Sequence, residues 1–215
     1  LGFLIVCDAI TTYAFHQIQT RKYGIWNAIL HDEMNADILI MGNSRAWRQY
    51  APAIIDSILG CNTYNLGVDG SSFNRQYIRY KAYRHYQSSK PKYIIQDVGW
   101  TTTDKTFGYD REQFMPYMIY PYFRKCIVNE EPMCFGELYI PMYRYYVNNF
   151  YDELVKYEVE IYKGYAPEFG DWEGDIKDVE PFMAEVDSTT MEELYEYIED
   201  LRNDDIQLVF VLSPR

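Results

Sequence analysis

The chain has 215 residues, 48% of them hydrophobic and 24% charged, which suits one domain with a sizeable core and sets it apart from disordered or fibrous chains. Its net charge is −12, which argues against nucleic acid as a partner, because a phosphate backbone is held by Lys and Arg. Four cysteines with no C-x-x-C pair argue against a zinc ribbon or thioredoxin chemistry, leaving Cys126 and Cys134 as a local disulfide or two free thiols.

The chain opens on "LGFLIVCDAITTYAF", an apolar stretch of about 15 residues that is too short to span a bilayer alone and is interrupted by Asp8. It reads as the remnant of a signal anchor, with a core helix as the alternative. Residues 1–30 are therefore expected to be anchor plus linker. Residues 31–215 are expected to form one α/β domain, outside the cytoplasm and associated with a membrane through the N-terminus.

"ADILIMGNSRAWRQY" follows. The continuous apolar run ending at Met41 predicts a strand buried on both faces of a parallel sheet, stopping at Gly42. Ala46 to Leu59 reads as a helix, with Trp47, Tyr50, Ile54, Ile55 and Ile58 roughly on one side, a break or kink at Pro52 and a stop at Gly60. "CNTYNLG" predicts a second strand, "VDGSS" a turn, and Phe73 to Tyr86 a second helix. "KYIIQDVG" predicts a third strand, again ending on a glycine, Gly99. This β-α-β-α-β order implies a parallel sheet with right-handed crossovers.

From about 101 to 187 lies an insertion crowded with Tyr, Phe, Met and Pro, expected to be mostly helical around Glu137 to Tyr157 and to wall a binding site. Nineteen of the 32 acidic residues fall between Asp152 and Asp205. Their spacing fits no EF-hand loop, so they read as a solvated face and not as a metal site. Ser188-Thr189-Thr190 before Glu192 and Glu193 predicts a capped helix running to about Arg202, and "IQLVFVLSPR" a fourth buried strand. The fold class expected is a flavodoxin-like three-layer α/β/α sandwich with a mainly parallel sheet, incomplete at its C-terminal end.

Ligands of open parallel sheets bind beyond the carboxyl ends of the strands, where Gly42, Gly67 and Gly99 would all lie. Ser44 at the first of these turns is either a helix cap or a nucleophile whose own N–H helps hold an oxyanion. "NLGVDG", from Asn65 to Gly70, would sit beside it, and lacks the pattern of a dinucleotide fingerprint. A flavodoxin-like phosphate or nucleotide site is disfavoured by the missing Gly-rich loop with Lys and by the acidity.

Together, "ILIMGNSRAW" and "YNLGVDGSS" resemble the SGNH (GDSL-like) hydrolase superfamily, in particular the membrane-anchored or exported bacterial SGNH-like proteins. The resemblance covers roughly residues 36 to 100 and, loosely, the last helix and strand. It implies that Ser44 is the nucleophile and that the Gly67 N–H is an oxyanion donor. Asn43 stands where the family often has Asp. Asn43, Arg45, Asn65 and Thr101 are the residues expected to meet substrate. "GWTT" replaces the family's G-x-N-D, so Thr101 supplies at best a hydroxyl in place of the asparagine. The family's D-x-x-H, source of the general base, does not occur in these 215 residues. His16, His31 and His85 are all expected far from Ser44. The implied activity is that of a serine esterase or O-acyltransferase on acyl esters, O-acetyl esters among them, of cell-envelope carbohydrate, with no cofactor and no metal. The alternative is a catalytically inactive binding or assembly module of the same fold.

Overall fold

A computed structural model describes residues 1–18, 21–99, 111–130, 133–147, 162–168 and 187–213. The apolar run "ILIM" forms β1 (Ile38–Met41), all four residues buried. β2 (Thr63–Asn65), β3 (Tyr93–Asp97) and β4 (Gln207–Val211) complete a sheet of order β2-β1-β3-β4 in which every pairing is parallel. The chain steps from β1 to β2 on one side, then returns past β1 to β3 and on to β4. Its direction of travel therefore reverses at β1 and β3, and the carboxyl ends of these neighbours form the crevice where such sheets take ligands.

Ten helical segments surround the sheet among the described residues: α1 (Gly2–His16), α2 (Arg21–Leu30), α3 (Ser44–Gln49), α4 (Pro52–Leu59), α5 (Phe73–Tyr86), a 3₁₀ turn (Arg111–Tyr117), α6 (Pro121–Glu130), α7 (Phe135–Tyr139), α8 (Tyr143–Val147) and α9 (Ser188–Asn203). With the right-handed crossovers that parallel sheets adopt, this strand order puts α3 and α4 on one face and α5 and α9 on the other, the arrangement of a three-layer α/β/α sandwich. Pro52 does divide the first predicted helix. It stands at the first position of α4, where its missing N–H costs nothing, and Gly60 ends that helix in the left-handed region at φ +64°.

The main core lies on the α5 face. Leu39, Met41 and Ile94 from the sheet meet Tyr80 and Tyr83 of α5, Trp26 and Ile29 of α2, and Phe114 and Phe123 of the Tyr-rich insertion. Phe15, Tyr23, Trp26 and Ile29, from the stretch expected to be anchor and linker, are fully or almost fully buried in this core, the last three on α2. Among the described residues no helix is long and apolar enough to cross a membrane.

Three further expectations change. β4 is not a buried strand: in register, Ile40 is wholly buried, Ile95 half-buried and Val209 46% exposed, and among the described residues no strand pairs with the outer side of β4. Ile54 and Ile58 of α4 are exposed, so the apolar side of that helix does not face the core. The cap of α9 is Asp187, whose carboxylate accepts from the Thr190 N–H at 2.8 Å, not a residue of the Ser-Thr-Thr run. Cys126 and Cys134 are free thiols.

Candidate functional site

Gly42 ends β1 at φ +151°, a backbone conformation that side-chain-bearing residues rarely adopt. A Cβ there would lie 2.6 Å from the Ala46 Cβ and 3.0 Å from the Asp97 Cβ, so glycine is what lets α3 begin directly beside β3. Asn43 caps α3, its Oδ1 accepting from the Arg45 N–H at 3.1 Å. The capping role is therefore taken, and Asn43 is bound to its own backbone turn. Ser44 is the first residue of α3 and half-buried, and among the described residues neither its N–H nor its hydroxyl has a hydrogen-bond partner.

Asn65 and Gly67 are brought against the same helix. Asn65 is wholly buried; its Nδ2 donates to the Ala46 carbonyl at 2.7 Å and the Tyr50 carbonyl at 2.9 Å, while its Oδ1 accepts from the Gly67 N–H at 2.9 Å. Asn65 thus clamps α3 onto β2 and has no surface for the substrate contact expected of it. Gly67 approaches so closely that a Cβ would lie 2.5 Å from the Trp47 nitrogen. Its N–H, expected to face an oxyanion, is committed to Asn65 and would have to be shared or exchanged to hold one.

Arg45 also works within the protein. Its guanidinium donates to the Ser213 carbonyl and the Val98 carbonyl, each at 3.1 Å, and lies 3.6 Å from the Asp97 carboxylate. A Cβ at Gly99 would overlap the guanidinium. Arg45 therefore ties the ends of β3 and β4 to α3.

The sequence reading passed over three residues of this cluster. Asp97, 2% exposed, accepts from the Ser213 hydroxyl. Tyr50 Oη lies 2.8 Å from Ser213 Oγ. A serine has one proton to give, and here it goes to a carboxylate that can only accept, so Tyr50 donates to Ser213. Burial pushes the Tyr50 phenol above its ordinary pKa, against the opposing effect of the Ser213 hydrogen bond, which keeps it a donor. The available signal was a polar residue, Asp97, ending the apolar strand "YIIQD". Only the parallel register reveals its neighbours.

One stretch of the insertion walls this site. The Asn65 N–H donates to the Lys163 carbonyl at 2.8 Å, and the Ala166 N–H to the Trp47 carbonyl at 3.3 Å. Gly164, at φ +86°, lies so close to the Asn65 carbonyl that a Cβ would overlap it. Arg48 of α3 pairs with Asp69 at 3.6 Å and with Glu168, and lies over the Trp47 ring at 5.0 Å. Thr101, the other expected substrate contact, lies outside the described residues.

The three histidines are engaged elsewhere. His16, ending α1, stacks on Tyr117 at 5.2 Å and Tyr120 at 5.7 Å, bonds the Pro116 carbonyl at 3.1 Å and meets His31 edge-on. Burial pushes the His16 pKa down; the Pro116 carbonyl opposes this and His31 adds to it. His85 stacks on Tyr122 at 3.8 Å in the last turn of α5, which leads to the amino end of β3. Among the described residues no cluster of His, Cys, Asp and Glu could hold a metal ion. What the site offers is a half-exposed serine whose N–H has no partner among the described residues, beside a buried carboxylate network that fixes the strand ends.

Comparison of the chain with protein-family models, with curated proteins and with solved structures finds no match.

Proposed function

We propose that the chain carries the nucleophile half of an SGNH-like acyl-transfer site, acting on acyl esters of cell-envelope carbohydrate outside the cytoplasm, with membrane association through the N-terminus. The observation that carries this reading is the state of Ser44: a half-exposed hydroxyl and a free N–H at the β1 end of the sheet's crevice, with the cap already supplied by Asn43. Ser44 attacks the acyl carbon, and its own N–H supplies one oxyanion donor. The base is a histidine that these 215 residues do not place at the site. Without it only weak residual catalysis is expected.

The test is acetate release from an O-acetylated carbohydrate by the natural gene product, with and without Ser44→Ala. The expected outcome is a fall of at least about 10³-fold in kcat with urea stability unchanged. Equal hydrolysis by the variant removes Ser44 as nucleophile.

A second reading, a binding or assembly module that has lost catalysis, is favoured by one observation: the Gly67 N–H is held by Asn65 at 2.9 Å and is not free for an oxyanion. Tight binding of an acylated glycan without turnover, by the natural gene product, would select it.

A further inference from the structure

α1 is attached to the domain by its second half. Asp8 accepts from the Met142 N–H at 2.8 Å and pairs with Arg144 at 2.5 Å, Thr12 meets the Tyr145 hydroxyl at 2.5 Å, and Phe15 is buried. The first half is bare. Leu1, Phe3, Leu4, Ile5 and Val6 are exposed by 43% to 86%, and Ile10 by 62%. Six consecutive exposed positions, Leu1 to Val6, run through more than one and a half turns, so the apolar surface goes round the helix and is not a stripe. A protein groove grips a helix by one face, at positions spaced three and four apart. A helix apolar on all sides suits an apolar medium that surrounds it. The only acidic or basic side chain of its first three turns, Asp8, is turned to Arg144.

The same contacts hold α7 and α8 alongside. The Tyr143 ring lies on α7 so closely that a Cβ at Gly136 would come within 2.8 Å of it. On the outside of this pair, Phe135 is 71% exposed, Tyr139 62%, Ile140 43% and Tyr146 81%. A groove of about 380 Å³ runs along α1, closed by Ile119 and by Pro141 of the connection between α7 and α8. The rings of Tyr139 and Tyr146, each with one apolar and one polar end, favour the boundary between hydrocarbon and water, and Phe135 and Ile140 add apolar surface beside them.

We propose that α1 and the α7–α8 pair form one seat on a phospholipid bilayer. The first turns of α1 enter the acyl region, and Phe135, Tyr139, Ile140 and Tyr146 lie at headgroup level. This rests on the reading of the N-terminus as membrane-associated and adds a second contact to it. It does not depend on the acyl-transfer chemistry. The driving force is apolar: at net charge −12 the chain is repelled by anionic lipid.

The experiment is flotation of the 215-residue chain with phosphatidylcholine vesicles and with phosphatidylglycerol vesicles. Wild type is expected to partition onto phosphatidylcholine and more weakly onto phosphatidylglycerol. A Phe3→Ser/Val6→Ser variant is expected to lose binding. Phe135→Ser/Tyr139→Ser/Tyr146→Ser should lower partition by about tenfold or more, since each ring loses part of a full burial. The single Tyr146→Ser, at the most exposed ring, repeats the test with the least disturbance, and urea midpoints confirm folding. If the α7–α8 variants bind like wild type while the α1 variant does not, the second contact falls and the anchor reading stands. If wild type ignores both vesicles, or forms a dimer that the α1 substitutions abolish, both fall. Stronger uptake by phosphatidylglycerol would overturn the apolar assignment.

Discussion

Replacing Asn65 with alanine removes three hydrogen bonds at once and leaves the Ala46 carbonyl, the Tyr50 carbonyl and the Gly67 N–H without a protein partner. A buried backbone group stranded in this way costs roughly 1–3 kcal/mol. The Ala46 carbonyl and the Gly67 N–H meet Asn65 in the interior, whereas the Tyr50 carbonyl is only part-buried, so water can reach it. The expected loss is therefore about 3–4 kcal/mol, below the sum of three full penalties. α3 has only six residues, far too few to hold itself, so it should detach locally as well. For a chain of this length the change corresponds to a fall in Tm of about 6–15 °C. Urea unfolding followed by circular dichroism reads it directly, with an unchanged m-value showing that the denatured state is not the cause. Asn65→Asp should be no better, because a carboxylate keeps the bond from Gly67 but cannot donate to either carbonyl. A loss below about 1 kcal/mol for Asn65→Ala would refute the clamp. If binding of an acylated glycan weakened instead, Asn65 would be the substrate contact that its motif suggested.

Gly42→Ala should cost about 3 kcal/mol or more, by denaturant unfolding, because both its φ and the 2.6 Å approach to Ala46 forbid a Cβ, while Gly60→Ala, with open space around it, should cost only about 1 kcal/mol. By NMR titration the His16 imidazole should show a midpoint below 6.5. Because its folded pKa is depressed, its contribution to stability is present above about pH 6.5 and is lost as pH falls through the folded value, a dependence that His16→Gln should remove. Burial pushes the Asp204 carboxyl up, but the Lys90 hydrogen bond and the Arg84 and Lys90 charges outweigh it and hold the pKa low. Stability from Asp204 should thus be present above about pH 4 and disappear on acidification, and Asp204→Asn should flatten that acid limb in unfolding measurements. Ser44→Ala should leave stability within about 0.5 kcal/mol of wild type, since among the described residues the hydroxyl has no partner to lose.

Much of the frame follows from neighbours in the chain. The apolar run at Ile38–Met41, the division at Pro52, the left-handed stop at Gly60 and the bounds of α5 at Phe73 and Tyr86 are all set by interactions within a few residues, and so were legible directly. The motif residues Ser44 and Gly67 were also legible as strand-end positions, and the parallel register brings their segments together. What each side chain does there was not. Arg45 reaches the Ser213 carbonyl 168 positions away, and Ser213 reaches Asp97 across 116. No local pattern distinguishes an arginine aimed at a ligand from one that pins two strand ends, or an asparagine in a substrate pocket from one that clamps a helix. The same limit governs burial. β4 has the apolar run of a central strand, yet among the described residues it pairs only with β3 and is largely exposed. The period of the sequence fixes which element forms and which residues share a face. What lies against that face depends on chain-distant partners, and only the tertiary structure decides it.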